Sequence, residues 1–491
     1  MKISIIGAGI GGLSSACLLA AKGHQVQVFE KNDSPGGKMN QVKTESYRFD
    51  TGPSLLTMPF VLRGLFAECG AKMDEYLKLL PVDPICKYFY QDGETFTNYS
   101  DHKATLEEIK RLAPQDLEAY EQFLDYTQAL YQRTADAFIF NPLYDFSDFK
   151  QLNFLNFLGI DAFSTVSQRI DSMFRSRYLR QFFKRFTTYN GSSPFQAPAT
   201  LNVIPHVEIN MGGYYIEGGL YKIATSLEQL ANSLGVEFHY NLSVSSILTK
   251  DSKAYGIKLE NGKKVESDLV LSNSDSTETI AHLIPNGSIP EWKKEQAKSI
   301  EPSCSGFVMM LGIDHVYDHL SHHNIFFTDD YEKEFEQIFQ EKVMPDDPTI
   351  YIANTSYTDS SHAPKGSSNL FILINAPYLS DKYDWDKMES LYFGKVVSEL
   401  EDRGLSDLSS YINFKETITP KDFYKRYRSN KGSIYGTSSN SKFSAFIRPR
   451  NKSRKVKKLY FTGGSTHPGG GIPLVVQSAF NAVNLIERYE L

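Results

Sequence analysis

Three glycines and one carboxylate near the start of the chain have a spacing that suits the binding of phosphate groups. Gly7, Gly9 and Gly12 form a GxGxxG pattern, and Glu30 follows Gly12 by 18 residues. In such a loop the first glycine allows a tight turn, the second removes a side chain facing a diphosphate, and the third lets a helix pack closely on a strand. The carboxylate accepts hydrogen bonds from both ribose hydroxyls of an adenosine and repels a ribose phosphate. These residues predict an adenosine dinucleotide and argue against NADP.

The surrounding sequence predicts the elements that position these residues. Ile3, Ile5 and Ile6 suit a buried strand, and the apolar residues of segment 13–20 recur at helical spacing. Residues 24–30, HQVQVFE, predict a second strand that ends at the carboxylate. The glycines therefore lie where a phosphate-binding loop opens a helix, whose first amides and dipole favour an anion.

A second glycine-rich strand-to-helix turn lies near the end of the chain. Residues 459–462 predict a buried strand, and five of the ten residues in segment 463–472 are glycine. The helix that follows offers amide donors near Gly471 and Ile472 for the polar edge of a flavin, where negative charge gathers on reduction. Because a dinucleotide has two halves, two such loops predict a split site. A plain loop that needs positive φ angles is the alternative.

The chain alternates between nucleotide-fold segments and inserts. Nucleotide-fold features return at residues 212–231, where two glycines precede an amphipathic helix. We therefore predict an α/β protein with two discontinuous domains. A Rossmann-like dinucleotide domain comprises residues 1–75, 212–286 and 420–491, and an α+β substrate domain comprises residues 76–211 and 287–419.

Composition narrows the classes of partner. The net charge of −6 gives no reason to expect nucleic acid, and aromatic residues, 13% of the chain, suit a large apolar cavity. The four cysteines lack metal spacing, which indicates reduced, buried thiols in a cytoplasmic protein. The first apolar residues belong to the predicted first strand, so we expect no cleaved signal. No apolar run is long enough to span a bilayer.

Several motifs together resemble one family. They are GAGIGG at 7–12 with Glu30, PGGK at 35–38 where PGGR is usual, FDTGPS at 49–54, MGGYYIEGG at 211–219, SNSD at 272–275 and TGGSTHPGGGIPLVVQSA at 462–479. The chain resembles the bacterial carotenoid desaturases, FAD enzymes related to phytoene desaturase and 1-hydroxycarotenoid 3,4-desaturase. This resemblance implies a glutathione-reductase-like FAD domain of the amine-oxidase and phytoene-desaturase type.

The resemblance also implies which residues line FAD. They are Gly7, Gly9, Gly11, Gly12, Glu30, Lys31, Gly37, Lys38, Gly52, Pro53, Val244, Asn273, Gly463, Gly464, Gly471 and Ile472. The backbone of Val244 is expected to meet adenine. Lys38 keeps the charge of the usual arginine but lacks its planar fork. From the residues alone, the loop that contains Lys38 is equally a hairpin turn.

The implied reaction is desaturation of a carotenoid, with hydride transfer to the flavin. Gly470 stands where phytoene desaturases usually carry alanine, which favours 3,4-desaturation of a 1-hydroxy acyclic or γ-carotene-type end group. Asp148 resembles a position considered catalytic in phytoene desaturases, with a helix N-cap or a solvated carboxylate as the alternative. No metal site is predicted, because the adjacent His322 and His323 lack a partner acid.

Other functions remain open at this stage. They are phytoene desaturation, a flavin-dependent polyene isomerase or saturase, and a prenyl-binding protein on the same scaffold. The intact 463–472 loop disfavours the binding protein. An amine oxidase shares the fold, but the THPGGG element suits it poorly.

A cationic, aromatic stretch is the candidate for membrane contact. Six cations lie between Arg169 and Arg185, opposed only by Asp171, and segment 152–186 is rich in phenylalanine. This composition suits a helix on the anionic inner face of the cell membrane, beside a tunnel for a lipophilic carotenoid. Core helices with a solvated arginine face are the alternative. The acceptor that regenerates FAD is expected to be oxygen or a quinone.

Overall fold

Five parallel strands form the sheet that the first thirty residues predict. The computed structural model describes residues 1–141, 144, 161, 163–440 and 448–491. Across the sheet, the strands are Leu459–Phe461, Leu269–Ser272, Lys2–Ile6, Gln25–Phe29 and Glu237–His239. The helix Ile10–Ala21 packs against the helices Tyr221–Ser233 and Ile472–Glu490. Helices cover this parallel sheet, and its central strands are largely buried, as in Lys2–Ile6 and Leu269–Ser272.

Three smaller groups of antiparallel strands lie outside the two larger sheets. The strands Val244–Lys250, Lys253–Leu259 and Lys264–Glu266 make a three-stranded sheet. Its second turn contains Asn261 and Gly262, as the Asn-Gly signal predicts. Two ribbons pair Gln41–Lys43 with Arg48–Asp50 and Leu79–Pro81 with Tyr214–Ile216.

A seven-stranded sheet forms the base of the other region. In order, its strands are Ile412–Ile418, Ser305–Ile313, Ser368–Ala376, Ile350–Asn354, His323–Phe326, Cys86–Phe89 and Thr95–Asn98. Only the pair of His323–Phe326 with Cys86–Phe89 is parallel among these described strands. All nine residues of Ser305–Ile313 are buried, which places this strand at the centre of the core.

Further helices surround the two sheets. They are Pro59–Glu68, His102–Leu112, Leu117–Ala135, Val166–Met173, Arg177–Lys184, Val203–Pro205, Ser276–Glu278, Glu291–Lys298, Tyr331–Glu336, Trp385–Asp402, Leu408–Tyr411 and Pro420–Tyr427. Short turns of tighter or wider helix include Asp136–Phe140, Arg185–Asn190, His206–Asn210, Thr279–Leu283 and Gln337–Glu341. Over the ranges given above, no helix is both long and apolar enough to cross a bilayer.

The predicted domain boundaries stay a prediction, but the two larger sheets take their strands from the predicted segments. The five parallel strands come from residues 1–75, 212–286 and 420–491, and the seven from 76–211 and 287–419. Two features cross the boundaries. The ribbon of Leu79–Pro81 with Tyr214–Ile216 joins the segments, and Phe423 packs in the core beside the seven-stranded sheet.

Candidate functional site

One cavity of about 480 Å³ extends from the first glycine loop to the seven-stranded sheet. Its lining includes all but two of the residues expected around FAD: Gly7, Gly9, Gly11, Glu30, Lys31, Gly37, Lys38, Gly52, Pro53, Val244, Asn273, Gly464, Gly471 and Ile472. The other two, Gly12 and Gly463, lie beneath the two loops. The structure therefore brings the separate motifs of the sequence together around one space.

The first loop turns and packs through glycines at fixed positions. Gly7 has a φ of +92°, which allows the tight turn, and a Cβ on Gly12 would lie 2.1 Å from the Gly7 carbonyl oxygen. Gly12 therefore lets the helix pack on the strand, as expected. A Cβ on Gly9 would lie 2.8 Å from Nδ2 of Asn273. The space that Gly9 clears on this side is taken by Asn273. Gly9 also lines the cavity, so its approach to a diphosphate stays a prediction.

Asn273 connects the two glycine loops. It follows the strand Leu269–Ser272, and its backbone amide donates to the Ile6 carbonyl over 2.8 Å. A Cβ on Gly11 or on Gly463 would lie 2.6 Å from its Oδ1. Because the strand before Asn273 lies between the strands that lead into both loops, one small amide fills the gap between them.

Glu30 is fixed at the end of its strand by two backbone amides. Its Oε2 accepts from the Ala8 amide over 2.8 Å and its Oε1 from the Asn32 amide over 2.9 Å. Each carboxylate oxygen keeps a further lone pair for a ribose hydroxyl. The side chain is buried but lines the cavity. This geometry fits the role predicted from the spacing.

The two lysines of the site bind backbone carbonyls. The Lys31 ammonium donates to the Lys425 carbonyl over 2.6 Å. Lys38 donates to the carbonyls of Ser433 and Ile434 over 2.9 and 2.7 Å. Desolvation lowers the pKa of Lys38 to about 8, although Asp275 opposes this shift. Lys38 thus ties the segment around residue 434 to the site, a role that its sequence position did not suggest.

Two helix N-termini open onto the cavity with their first amides uncapped. The helix Ile10–Ala21 begins after Gly9 and the helix Ile472–Glu490 after Gly471, and no side chain of the described segments caps either one. Free amides at a helix start bind anions and polarised oxygens. The two ends therefore fit the diphosphate and the pyrimidine edge of a flavin, so the residues present suit FAD.

The second loop is held from behind by Asn451. Its Nδ2 donates to the carbonyls of Phe461 and His467 over 3.2 and 3.0 Å and to Oγ of Ser478 over 3.0 Å. His467 is half-buried here, and desolvation lowers its pKa to about 4. It is therefore neutral at physiological pH and supports the loop through its backbone.

The far wall of the cavity has an apolar part and a polar part. The apolar part consists of Ile85, Val308, Ile325, Phe371 and Leu373. The polar part, the polar cluster, consists of Arg185, Tyr189, Glu208, His323 and Tyr351. The sequence did not single out these residues as a site. Arg185 stood out only as one member of a cationic run, because its partners lie on other elements.

Over residues 163–186 the structure favours the alternative interpretation of the cationic stretch, and its contact with lipid stays a prediction. The ion pairs are Arg169 with Asp161, Arg177 with Asp92, Arg180 and Lys184 with Asp171, and Arg185 with Glu208. The phenylalanines Phe174, Phe182, Phe183 and Phe186 are buried in one aromatic cluster. The buried phenylalanines fit the alternative of core helices, and the side chains of Arg177 and Arg180 are 64% and 39% exposed on their outer face. Asp148 and most of segment 142–162 lie outside the described residues.

Histidine and cysteine do not form a metal site in the part of the chain that the structure describes. His322 Nδ1 pairs with the Thr358 hydroxyl, and His323 Nδ1 pairs with the Tyr351 hydroxyl over 2.7 Å. The four cysteines are buried free thiols. Burial raises the pKa of Cys86, which lines the cavity, to about 12, so this thiol stays protonated.

Comparisons with known proteins identify the family. Residues 10–486 match the family described as flavin containing amine oxidoreductase. The chain is 36% identical to 4,4′-diaponeurosporene oxygenase of Staphylococcus aureus strains MSSA476 and MW2, over 99% of this chain and 98% of each relative. This similarity confirms the resemblance at the level of the family.

Solved structures share the fold. An oxidoreductase from Methanosarcina mazei has a TM-score of 0.69 at 17% identity, over 99% of this chain and 100% of that one. Cyclohexylamine oxidase from Brevibacterium oxydans IH-35A has a TM-score of 0.63 at 13% identity, over 100% of this chain and 99% of that one. The predicted fold class is confirmed. The chain belongs to the flavin-containing amine oxidoreductase family and is an FAD-dependent oxidoreductase.

Proposed function

We propose that the protein uses FAD to oxidise a carotenoid-type polyene. The observation that carries this proposal is the continuity of the cavity, which joins both glycine loops to a wall formed by residues such as Ile325, Phe371 and Leu373. A wall of this kind stabilises a hydrocarbon through burial of apolar area, at about 25 cal/mol per Å². The name of the relatives, 4,4′-diaponeurosporene oxygenase, supports a substrate of the same class.

In this proposal the chain binds FAD and the polyene, orients them and shields them from water, and FAD supplies a hydride acceptor. The sixteen residues expected around FAD hold it, with Glu30 at the ribose and the uncapped helix starts at the polar groups. A conjugated polyene delocalises the positive charge left by hydride loss, so a strong protein base is not compulsory. Asp148 stays the proposed proton acceptor, and unchanged turnover of Asp148→Asn with FAD bound would remove that role.

Two reactions compete for this site. Gly470 supports 3,4-desaturation of a 1-hydroxy acyclic or γ-carotene-type end, with phytoene desaturation as its variant. The name of the relatives supports oxygenation of a polyene instead. Desaturation moves two electrons and two protons from a CH–CH unit to an acceptor, whereas oxygenation incorporates an atom from O₂.

Anaerobic mixing with a polyene separates these reactions. A desaturase bleaches the flavin absorbance and forms one new C=C bond per flavin without oxygen. An oxygenase forms its product only when O₂ is admitted, and isotopically labelled O₂ leaves its label in the product. Product formation without bleaching or oxygen would indicate an isomerase.

Pigment analysis in cells tests the proposal as a whole. The gene is expressed in cells that accumulate phytoene, lycopene, a hydroxylated γ-carotene or 4,4′-diaponeurosporene. We expect one of these pigments to be converted, and the Gly12→Ala variant serves as the FAD-deficient control. Conversion of none of them by an FAD-loaded protein would refute the proposal.

We also propose that the protein associates peripherally with the inner face of the cell membrane, because its substrate dissolves in the bilayer. Oxygen or a quinone is the proposed acceptor. Flotation with neutral and anionic liposomes tests the association, and we expect stronger binding to the anionic ones through the cationic stretch 169–185. Indifference to lipid charge would count against docking through that stretch. Failure to float with either would refute the association.

A further inference from the structure

An ion pair is buried in the wall of a cavity that otherwise suits a hydrocarbon. The side chains of Arg185 and Glu208 are 6% and 2% exposed, and the Arg185 Nη2 lies 2.5 Å from the Glu208 Oε1. Both residues line the cavity. Moving such a pair out of water costs several kcal/mol per ion before the two attract, and apolar residues of similar volume often serve stability as well. A pure hydrocarbon substrate gives the pair no polar contact in return.

Neutral hydrogen-bonding groups surround this pair. The Tyr189 hydroxyl donates to the other oxygen of Glu208, and the Tyr351 hydroxyl pairs with Nδ1 of His323. Burial raises the pKa of Tyr189 well above its usual value and lowers the pKa of His323 well below its usual value. Both groups are therefore uncharged at physiological pH. The polar cluster thus presents donors and acceptors around one fixed ion pair.

Two nitrogen atoms of the polar cluster lack a partner. Nε of Arg185 and Nε2 of His323 are buried and have no hydrogen-bond partner among the described residues. The two residues are 5% and 3% exposed, and both line the cavity. A buried polar group without a partner destabilises the folded protein. An oxygen atom of a bound molecule would remove this destabilisation.

We infer that the polar cluster binds an oxygen-bearing end group of the polyene, a hydroxyl or a carbonyl. Arg185 Nε donates to the oxygen, His323 Nε2 donates to it in the tautomer whose Nδ1 accepts from Tyr351, and Glu208 accepts from it when it is a hydroxyl. This inference rests on the proposed function and specifies its substrate. An apolar end group leaves both donors unpaired, and sites built to hydrogen-bond a substrate reject the analogue that lacks the group.

Two histidines of equal burial provide the experiment. His323→Phe removes the unpartnered Nε2 of a residue that lines the cavity. His322→Phe is the matched control, because His322 is fully buried and its Nε2 also lacks a partner among the described residues, but it does not line the cavity. Arg185→Lys is a second test, which keeps the charge beside Glu208 and removes Nε. Each FAD-loaded variant is titrated with hydroxylated lycopene and with lycopene, and quenching of protein fluorescence reports binding.

The wild type is expected to bind the hydroxylated polyene at least tenfold more tightly than the hydrocarbon. His323→Phe and Arg185→Lys each reduce that preference by about tenfold, as loss of one hydrogen bond does. His322→Phe leaves it unchanged. The inference is overturned if the wild type binds both polyenes with equal affinity, or if the variants lose affinity for both polyenes equally. Neither result affects the proposed function. If the wild type binds neither polyene, the inference fails, and the proposed function is judged separately by the conversion of pigments in cells.

Discussion

The substitution Gly12→Ala tests whether the first glycine loop depends on contact between its helix and its strand. A Cβ at this position would lie 2.1 Å from the Gly7 carbonyl oxygen, whereas real Cβ contacts are essentially never under 3.0 Å. The obstacle is backbone, so no side-chain rotation relieves it. The start of the helix Ile10–Ala21 must therefore move by about 0.9 Å from the strand Lys2–Ile6.

Two effects of opposite sign determine how much Gly12→Ala changes the free energy of unfolding. Overpacking of a tight contact costs about 1–3 kcal/mol. Alanine in place of glycine within a helix contributes about 1 kcal/mol of stability. Gly64 lies inside the helix Pro59–Glu68, and no described atom lies within 4 Å of the position that a Cβ would take there. Gly64→Ala thus retains the gain without the clash, and the two variants should differ by about 1–3 kcal/mol.

Urea unfolding of the apoprotein and titration with FAD measure these effects. We expect Gly12→Ala to be less stable than Gly64→Ala and to bind FAD at least tenfold more weakly, because the displaced amides are those that face the diphosphate. Gly64→Ala should bind FAD like the wild type. Equal stability and equal FAD affinity of the two variants would refute the reasoning.

Three further predictions concern single charges. In Glu30→Gln an NH₂ group faces a backbone amide, so FAD titration should show at least tenfold weaker binding, and unchanged affinity would contradict this. The pKa of Lys38 is about 8 in the folded protein, below its ordinary value of 10.5. Protonated Lys38 thus disfavours the folded state, and urea unfolding should show the wild-type apoprotein gaining up to about 3 kcal/mol relative to Lys38→Met between pH 8 and 10.5. A pH-independent difference would contradict this. Asp171→Asn leaves Arg180 and Lys184 without their acid, so flotation with anionic but not neutral liposomes should increase; no increase would show that these cations do not reach lipid.

Local patterns were sufficient to predict the dinucleotide unit. The two strands and the helix around Gly7 and Glu30 each show their own side-chain spacing within thirty residues, and glycines mark the turn between the first strand and the helix. The Asn-Gly turn after Leu259 is equally local. Such elements follow from side-chain spacing and turn chemistry, which depend on neighbours in the sequence.

Contacts between residues far apart in the sequence could not be predicted from such local patterns. The sequence places Gly219 among the nucleotide-fold features, but a Cβ there would lie 1.8 Å from Cζ of Arg48. This glycine therefore makes room for a buried ion pair of Arg48 with Asp50. The acids that neutralise Arg177 and Arg185 are 85 and 23 residues away from them. A count of charges along a short window cannot include such partners, so it overstates the cationic character of the stretch.

Gly470, the residue used to choose between substrates, interacts with one aromatic ring of the cavity wall. A Cβ on Gly470 would lie 2.9 Å from Cδ1 of Tyr435, which lines the cavity. An alanine at this position therefore requires the ring to move, and that movement changes the shape of the space beside the second glycine loop. Gly470 also lines the cavity itself, so we expect an alanine there to act on a substrate both directly and through Tyr435. The substrate preference inferred from Gly470 thus belongs to the pair of residues, and a Gly470→Ala variant is informative only beside Tyr435→Leu, in which the obstructing ring is absent.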